Sequence, residues 1–150
     1  MVTMDVRDCR VGNGSRESAA RELFLLATTG LSVAAAAPDP ACRFAEAHLA
    51  ALRAGAAVVA VRAPASQPSR VTSVWALLAR RAPELAEWAA FFEAGAAKRF
   101  LVLRGVDVVS TRVADDLLRD SVCFVGHVGE HLGFTVTGLA QVADRLVVSG

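Results

Sequence analysis

Between positions 40 and 62 the apolar residues Ala45, Leu49, Leu52, Ala56 and Val59 recur at steps of three and four. That spacing puts them on one side of an α-helix and predicts a helix from Pro40 to Arg62 with this stripe buried. Alanine on the stripe lets a neighbouring helix approach closely. Upstream, Gly12-Asn13-Gly14 reads as a turn closing a flexible arm over residues 1–14. Ser15 then caps a first helix running to about Ala37, with Glu17 at the end of the dipole that favours an anion. Pro38 stops that helix, and Asp39 before Pro40 starts the next, since proline's missing N–H costs nothing at the first helical position.

Residues 63–72, with two prolines and no periodicity, form the clearest interior loop. A short helix from Ser73 to Arg81 follows, with Trp75 and Leu78 facing inward. Pro83 opens another, with Glu84 and Glu87 in its first turn. Leu85, Trp88 and Phe92, at i, i+3 and i+7, make its buried anchor. Lys98, Arg99 and Arg104 suit the negative end of its dipole before Gly105. Ser110 or Thr111 caps a last long helix whose stripe is Leu117, Phe124, Val128 and His131, ending around Gly129–Gly133. Residues 134–150 read equally as a short helix or an extended tail. No repeat, linker or βαβ alternation interrupts residues 15–133. The expected fold is all-α, an antiparallel up-and-down bundle of four to five helices.

Composition sharpens this picture at a few points. The chain has 150 residues, 54% apolar, and thirty are alanine. Fifteen arginines stand against one lysine, Ile and Tyr are absent, and Asn13 is the lone asparagine. This is the signature of GC-rich codons and points to a high-GC bacterial genome, so the preference for Arg is expected to report codons and not guanidinium chemistry. A net charge of +1 gives no whole-domain pull toward nucleic acid or anionic lipid. Any nucleic-acid contact would need a local patch, for which Arg62, Arg70, Arg80, Arg81, Lys98, Arg99 and Arg104 are the candidates. Cys9, Cys42 and Cys123 are too scattered for a metal or redox motif and fit reduced thiols in a cytoplasmic protein. The polar first residues lack a signal-peptide pattern. The longest soft run, Leu23–Ala37, is shorter than the ~18–20 residues a membrane span needs, so no membrane association is expected.

Three segments carry a family resemblance: RFAEAHLAALRAGAAVVAVRA, SVWALLARRAPELAEWAAFFEAGAAKR and TRVADDLLRDSVCF. Together they resemble small actinobacterial HEPN domains over about residues 20–125, with Trp75, Pro83, Trp88 and Phe92 the most specific part. The resemblance implies an antiparallel helical bundle. It also implies two possible functions, because many HEPN domains are dimeric metal-independent ribonucleases with an R-x4-6-H motif, while others lack the motif and act as binding or scaffolding modules. Fold does not choose between them.

In the nucleases that motif sits on a late helix. Here the late pair, Arg119 and His127, has seven intervening residues and Arg112 lies further off, so the family's spacing is missed. Arg43 and His48 do have four residues between them on the second helix. As a catalytic pair, Arg43 would steady a phosphate while His48 moved a ribose hydroxyl proton. The plain alternative is a solvated helix-start arginine and a helix-face histidine beside Phe44 and Leu52. The run His127-Val128-Gly129-Glu130-His131 matches the H-x-x-E-H of inverted zinc peptidases, but lacks their distant downstream carboxylate. His48, His127 and His131 also resemble the three-histidine set of DinB-like bundles, which would make an open zinc or nickel site. The leading expectation is a non-enzymatic HEPN-type binding or scaffold module without cofactor, working through a protein partner or self-association. The alternatives are a ribonuclease using Arg43 and His48, and a three-histidine metal protein.

Overall fold

The structure is a computed structural model that describes residues 6–62, 73–135 and 139–148. The described residues form six α-helices and no strand: α1 (Val6–Ala36), α2 (Pro40–Val61), α3 (Val74–Arg81), α4 (Ala86–Leu103), α5 (Thr111–Leu132) and α6 (Leu139–Val148). A single 3-10 turn, Pro83–Leu85, leads into α4. They pack as a bundle, in keeping with the expected all-α architecture.

The bundle is organised around the seam between α1 and α2. Along α1, Ala20, Phe24, Ala27, Leu31 and Ala34 alternate in steps of four and three, and all are buried. Along α2, Phe44, Ala47, Ala51, Ala54 and Val58 alternate in the same way and are also buried. Alternating threes and fours keep a stripe facing a partner helix. Alanine at most of the seam positions brings the two backbones together, so that a Cβ built on Gly30 would stand 3.4 Å from the Ala50 Cβ. Three connecting residues force the two helices to run antiparallel.

Local capping fixes the helix ends. Asp39 accepts from the Cys42 amide at 3.1 Å, Ser73 from Ala76 at 3.1 Å and Ser110 from Val113 at 3.2 Å. Gly133 closes α5 in the left-handed region at φ 70°, which costs a residue without a Cβ little. Beyond it Phe134 is buried against Phe24, and Leu139 and Val142 of α6 are buried as well, so the tail closes over α1 and α5 as a helix.

Two expectations need correction. The first helix begins at Val6 and not at Ser15, with Gly12-Asn13-Gly14 inside it. Two glycines cost a helix only about 1 kcal/mol each, which a long flanking helix absorbs. Within the predicted α2 stripe only Ala45 is buried, while Leu49, Leu52, Ala56 and Val59 are half-buried. α2 is enclosed by α1, α3, α4 and α5. Its buried positions therefore run most of the way round, and alanine, common on every side, hides the phase. The reading of residues 63–72 as a loop lies outside the described residues. By length and composition alone, residues 14–36 and 40–61 would each suffice to cross a membrane. Here the two lie against each other, and 56% of the α2 window is buried within the bundle.

If the alanine seam sets the helix spacing, Ala50→Leu drives a branched side chain at the Gly30 backbone and should destabilise the fold by about 1–3 kcal/mol. Urea unfolding followed by circular dichroism measures this. An unchanged midpoint would mean that the seam has slack.

Candidate functional site

α2 carries both residues of the candidate catalytic pair, and helix geometry separates them. Five positions turn the chain through 500°, leaving side chains about 140° apart around the axis. Arg43 points toward α5 and the end of α1, where its guanidinium donates to the Asp115 carboxylate and to the Ala37 carbonyl at 2.8 Å. His48 points the other way, into the space between α3 and α4, and is 1% exposed. Its Nε2–H donates to the Phe92 carbonyl at 2.8 Å, while Nδ1 has no hydrogen-bond partner. Gly95 of α4 faces the ring, and a Cβ built there would stand in van der Waals contact, 3.4 Å from the imidazole.

An aromatic cluster seals the imidazole. Trp75 and Phe92 approach it edge-on with centroids at 5.9 and 6.0 Å and stack on each other at 5.2 Å. Phe124 and Trp88 extend the cluster to α5. Burial is the main cause holding the His48 pKa below its ordinary value, opposed by the Phe92 hydrogen bond and assisted by the Arg99 charge. His48 is a neutral core histidine, and Arg43 ties the α1–α2 turn to α5. The structure does not bring the pair together.

The three-histidine set is dispersed as well. His127 is exposed and lies against Trp88, with centroids 5.9 Å apart. His131 meets Glu84 at 2.8 Å and the Arg62 guanidinium. Among the described residues no three His, Cys, Asp or Glu side chains form a group able to hold a metal ion. The metal expectation is thereby corrected for His48, His127 and His131: the backbone has turned the first into the core and the others onto separate neighbours.

The Arg62–Glu84–His131 cluster was not visible in the sequence, because its members lie on three segments. Arg62 also donates to the Arg81 carbonyl at 3.0 Å, and Arg81 donates to the Val59 carbonyl at 3.0 Å. Each arginine thus caps the end of the other's helix. Arg62 holds the Glu84 carboxyl well below the usual carboxylate range, at about 2. Arg43 and Arg62 each use both terminal nitrogens of the guanidinium fork, so at these two positions arginine is more than a product of codon usage. Of the remaining patch candidates, Arg70 lies outside the described residues, Arg104 rests over Phe100, and Lys98 and Arg99 are half-buried on α4.

Two hollows flank this framework. One, of about 400 Å³, lies beside the Arg43–Asp115 pair under Asp144 and Arg145 of α6. The other, of about 430 Å³, is an apolar groove between α4 and α5 floored by Phe44, Phe91, Phe92 and Leu117. Lys98 and Asp120 line it. Partial burial, and after it the nearby Asp116 charge, push the Asp120 carboxyl up.

The all-α bundle of the described residues, with α2 enclosed by α1, α3, α4 and α5, is consistent with a HEPN fold. Residues 34–129 match the model of a HEPN-like domain family named after a Streptomyces protein, and the chain belongs to that family. The match leaves most of α1 and all of α6 outside. No curated protein and no solved structure matches the chain.

His48 makes the fold sensitive to acid. A buried histidine with a lowered pKa contributes fully above the unfolded value of about 6.5, and stability falls as the unfolded chain takes up the proton below it. His48→Gln keeps a donor for Phe92 without a titrating ring. Urea midpoints at about pH 7.5 and about pH 5.5 should differ less in the variant than in the wild type. Equal differences would remove His48 from the acid response.

Proposed function

We propose that this HEPN domain is a non-catalytic binding module. The observation that supports it is the state of the Arg43–His48 pair. The imidazole is walled off by Trp75 and Phe92 with its Nε2–H donating to a backbone carbonyl, and the guanidinium is occupied by Asp115 and Ala37 on another side of α2. A general base needs its lone pair within reach of the substrate proton. The bare Nδ1 of His48 faces the interior instead. The accessible features are of a kind that proteins use to dock, namely an apolar groove between α4 and α5 and exposed hydrophobic residues around it.

A second reading has one observation in its favour. At the end of the bundle Arg62 and His131 meet at a partly exposed position, with Glu84 beside them. An imidazole next to a guanidinium is a composition suited to cleaving a phosphodiester, with Arg62 on the phosphate and His131 moving the proton. Glu84 weakens this reading, because it already neutralises the arginine.

Incubation with labelled single-stranded RNA separates these readings when wild type, His48→Gln and His131→Ala are run together. A binding module leaves the RNA intact in all three. Cleavage abolished in His131→Ala but kept in His48→Gln would replace the proposal with the second reading. Cleavage lost in a folded His48→Gln would restore the Arg43–His48 nuclease.

A further inference from the structure

α4 and α5 both pack on α2, but their backbones scarcely approach each other. What fills the space between them changes along its length. At one end Trp88 and Phe92 of α4 meet Phe124 of α5, with ring centroids 5.6 and 5.1 Å apart, and the gap is closed. Further along α4 the large rings give way to Ala94 and Gly95, and the gap opens into the hollow of about 430 Å³. A mostly apolar cleft of that size suits a small organic molecule.

The lining selects among such molecules. Three phenyl rings border the hollow, those of Phe44, Phe91 and Phe92. Phe44 and Phe92 are buried, whereas Phe91 is exposed at the mouth, its ring set at 81° to that of Phe92. Asp116 and Asp120 line the α5 side, one turn apart. Asp116 is engaged by Arg119 at 3.1 Å and lies 4.0 Å from Arg112. Asp120 is half-buried and has no ion-pair or hydrogen-bond partner among the described residues. Burial and the like charge of Asp116 both work against its ionised form, and a cation in the hollow would offset both. Lys98, on the α4 side, pairs with neither carboxylate, and its long stem lets the ammonium turn out to water. Aromatic faces attract organic cations as well. Rings around a space with an unpaired carboxylate at its edge complement an apolar molecule that carries one positive charge.

We propose that the hollow between α4 and α5 binds a small aromatic or alkyl ammonium, with its apolar body against Phe44, Phe91 and Phe92 and its charge on Asp120. This deepens the binding-module reading and rests on it, by naming the class of ligand the groove takes.

Titrating the isotope-labelled full chain with phenethylammonium, phenethyl alcohol and hydrocinnamate, followed by amide chemical shifts, tests the proposal. The three probes share a phenethyl body and differ in the charge of its end group. Phenethylammonium should shift the amides of Ala94, Gly95 and Asp120 saturably at up to about 10 mM. It should bind on the order of tenfold more tightly than the alcohol, with hydrocinnamate weakest. Asp120→Asn should abolish the preference for the ammonium and leave the alcohol's affinity unchanged, while Lys98→Met should tighten the ammonium. Ala94→Phe fills the hollow and should stop all three probes with unchanged helical circular dichroism, because the residue is exposed. A wild type without a saturable shift, or with equal affinity for the three probes, would overturn the proposal. So would an ammonium preference that survives Asp120→Asn, or binding that persists in a folded Ala94→Phe. The RNA assay reads none of these results: intact RNA with an empty hollow would keep a non-catalytic domain and remove only the ligand.

Discussion

Close contact between alanines on α1 and α2 is the constraint from which the rest of the molecule follows. A seam built from Ala20, Ala27 and Ala34 against Ala47, Ala51 and Ala54 gains little transfer energy per side chain, since a methyl group removes little area from water. It gains dispersion contacts along the full length of two helices instead, and those fall off steeply with distance. Such a seam tolerates no bulk. It also leaves the rest of α2 free to be covered by other helices, which is how one helix comes to be surrounded by four.

Enclosure of α2 decides the fate of its polar residues. A histidine on an amphipathic surface helix would keep a wet edge. His48 lies on a helix with hardly any outside, so its ring is taken into the Trp75–Phe92 cluster and its Nε2–H donates to a carbonyl. Arg43 sits one turn from the start of the same helix, near enough to the rim to reach the α1 terminus and Asp115. The features that resembled a reactive pair on paper are thus two structural solutions on different sides of one rod. What stays open to water is the outer side of α4 and its groove with α5.

The sequence revealed the fold well wherever a local signal had a single meaning. Asp39-Pro40, Ser73, Pro83, Ser110 and Gly133 mark helix ends by side-chain or backbone chemistry confined to a few residues, and the helices begin or end within a residue or so of them. Trp75 and Phe92 are buried because rings of that size have no other favourable place in a bundle. Phase on α2 was illegible, since alanine is compatible with every environment and the true faces are written in the neighbouring helices. The start of α1 was misread because Gly-Asn-Gly is a turn only when nothing longer overrides it. Of the candidate site, the residue types could be found by spacing, but their directions could not. Arg62, Glu84 and His131 meet only in three dimensions, and no periodic pattern connects positions so far apart.

The reciprocal capping by Arg62 and Arg81 has a bearing on how this gene can drift. Were arginines to drift toward lysine, the exchange at an outward position such as Arg112 would alter only a weak, water-screened attraction to Asp116. At Arg62 a lone ammonium cannot reach a carbonyl, a carboxylate and an imidazole together in the geometry of a planar fork, and at Arg43 it would have to choose between Ala37 and Asp115. Exchange tried evenly over the fifteen arginines would therefore meet uneven resistance, and Arg43 and Arg62 should be among the last to change.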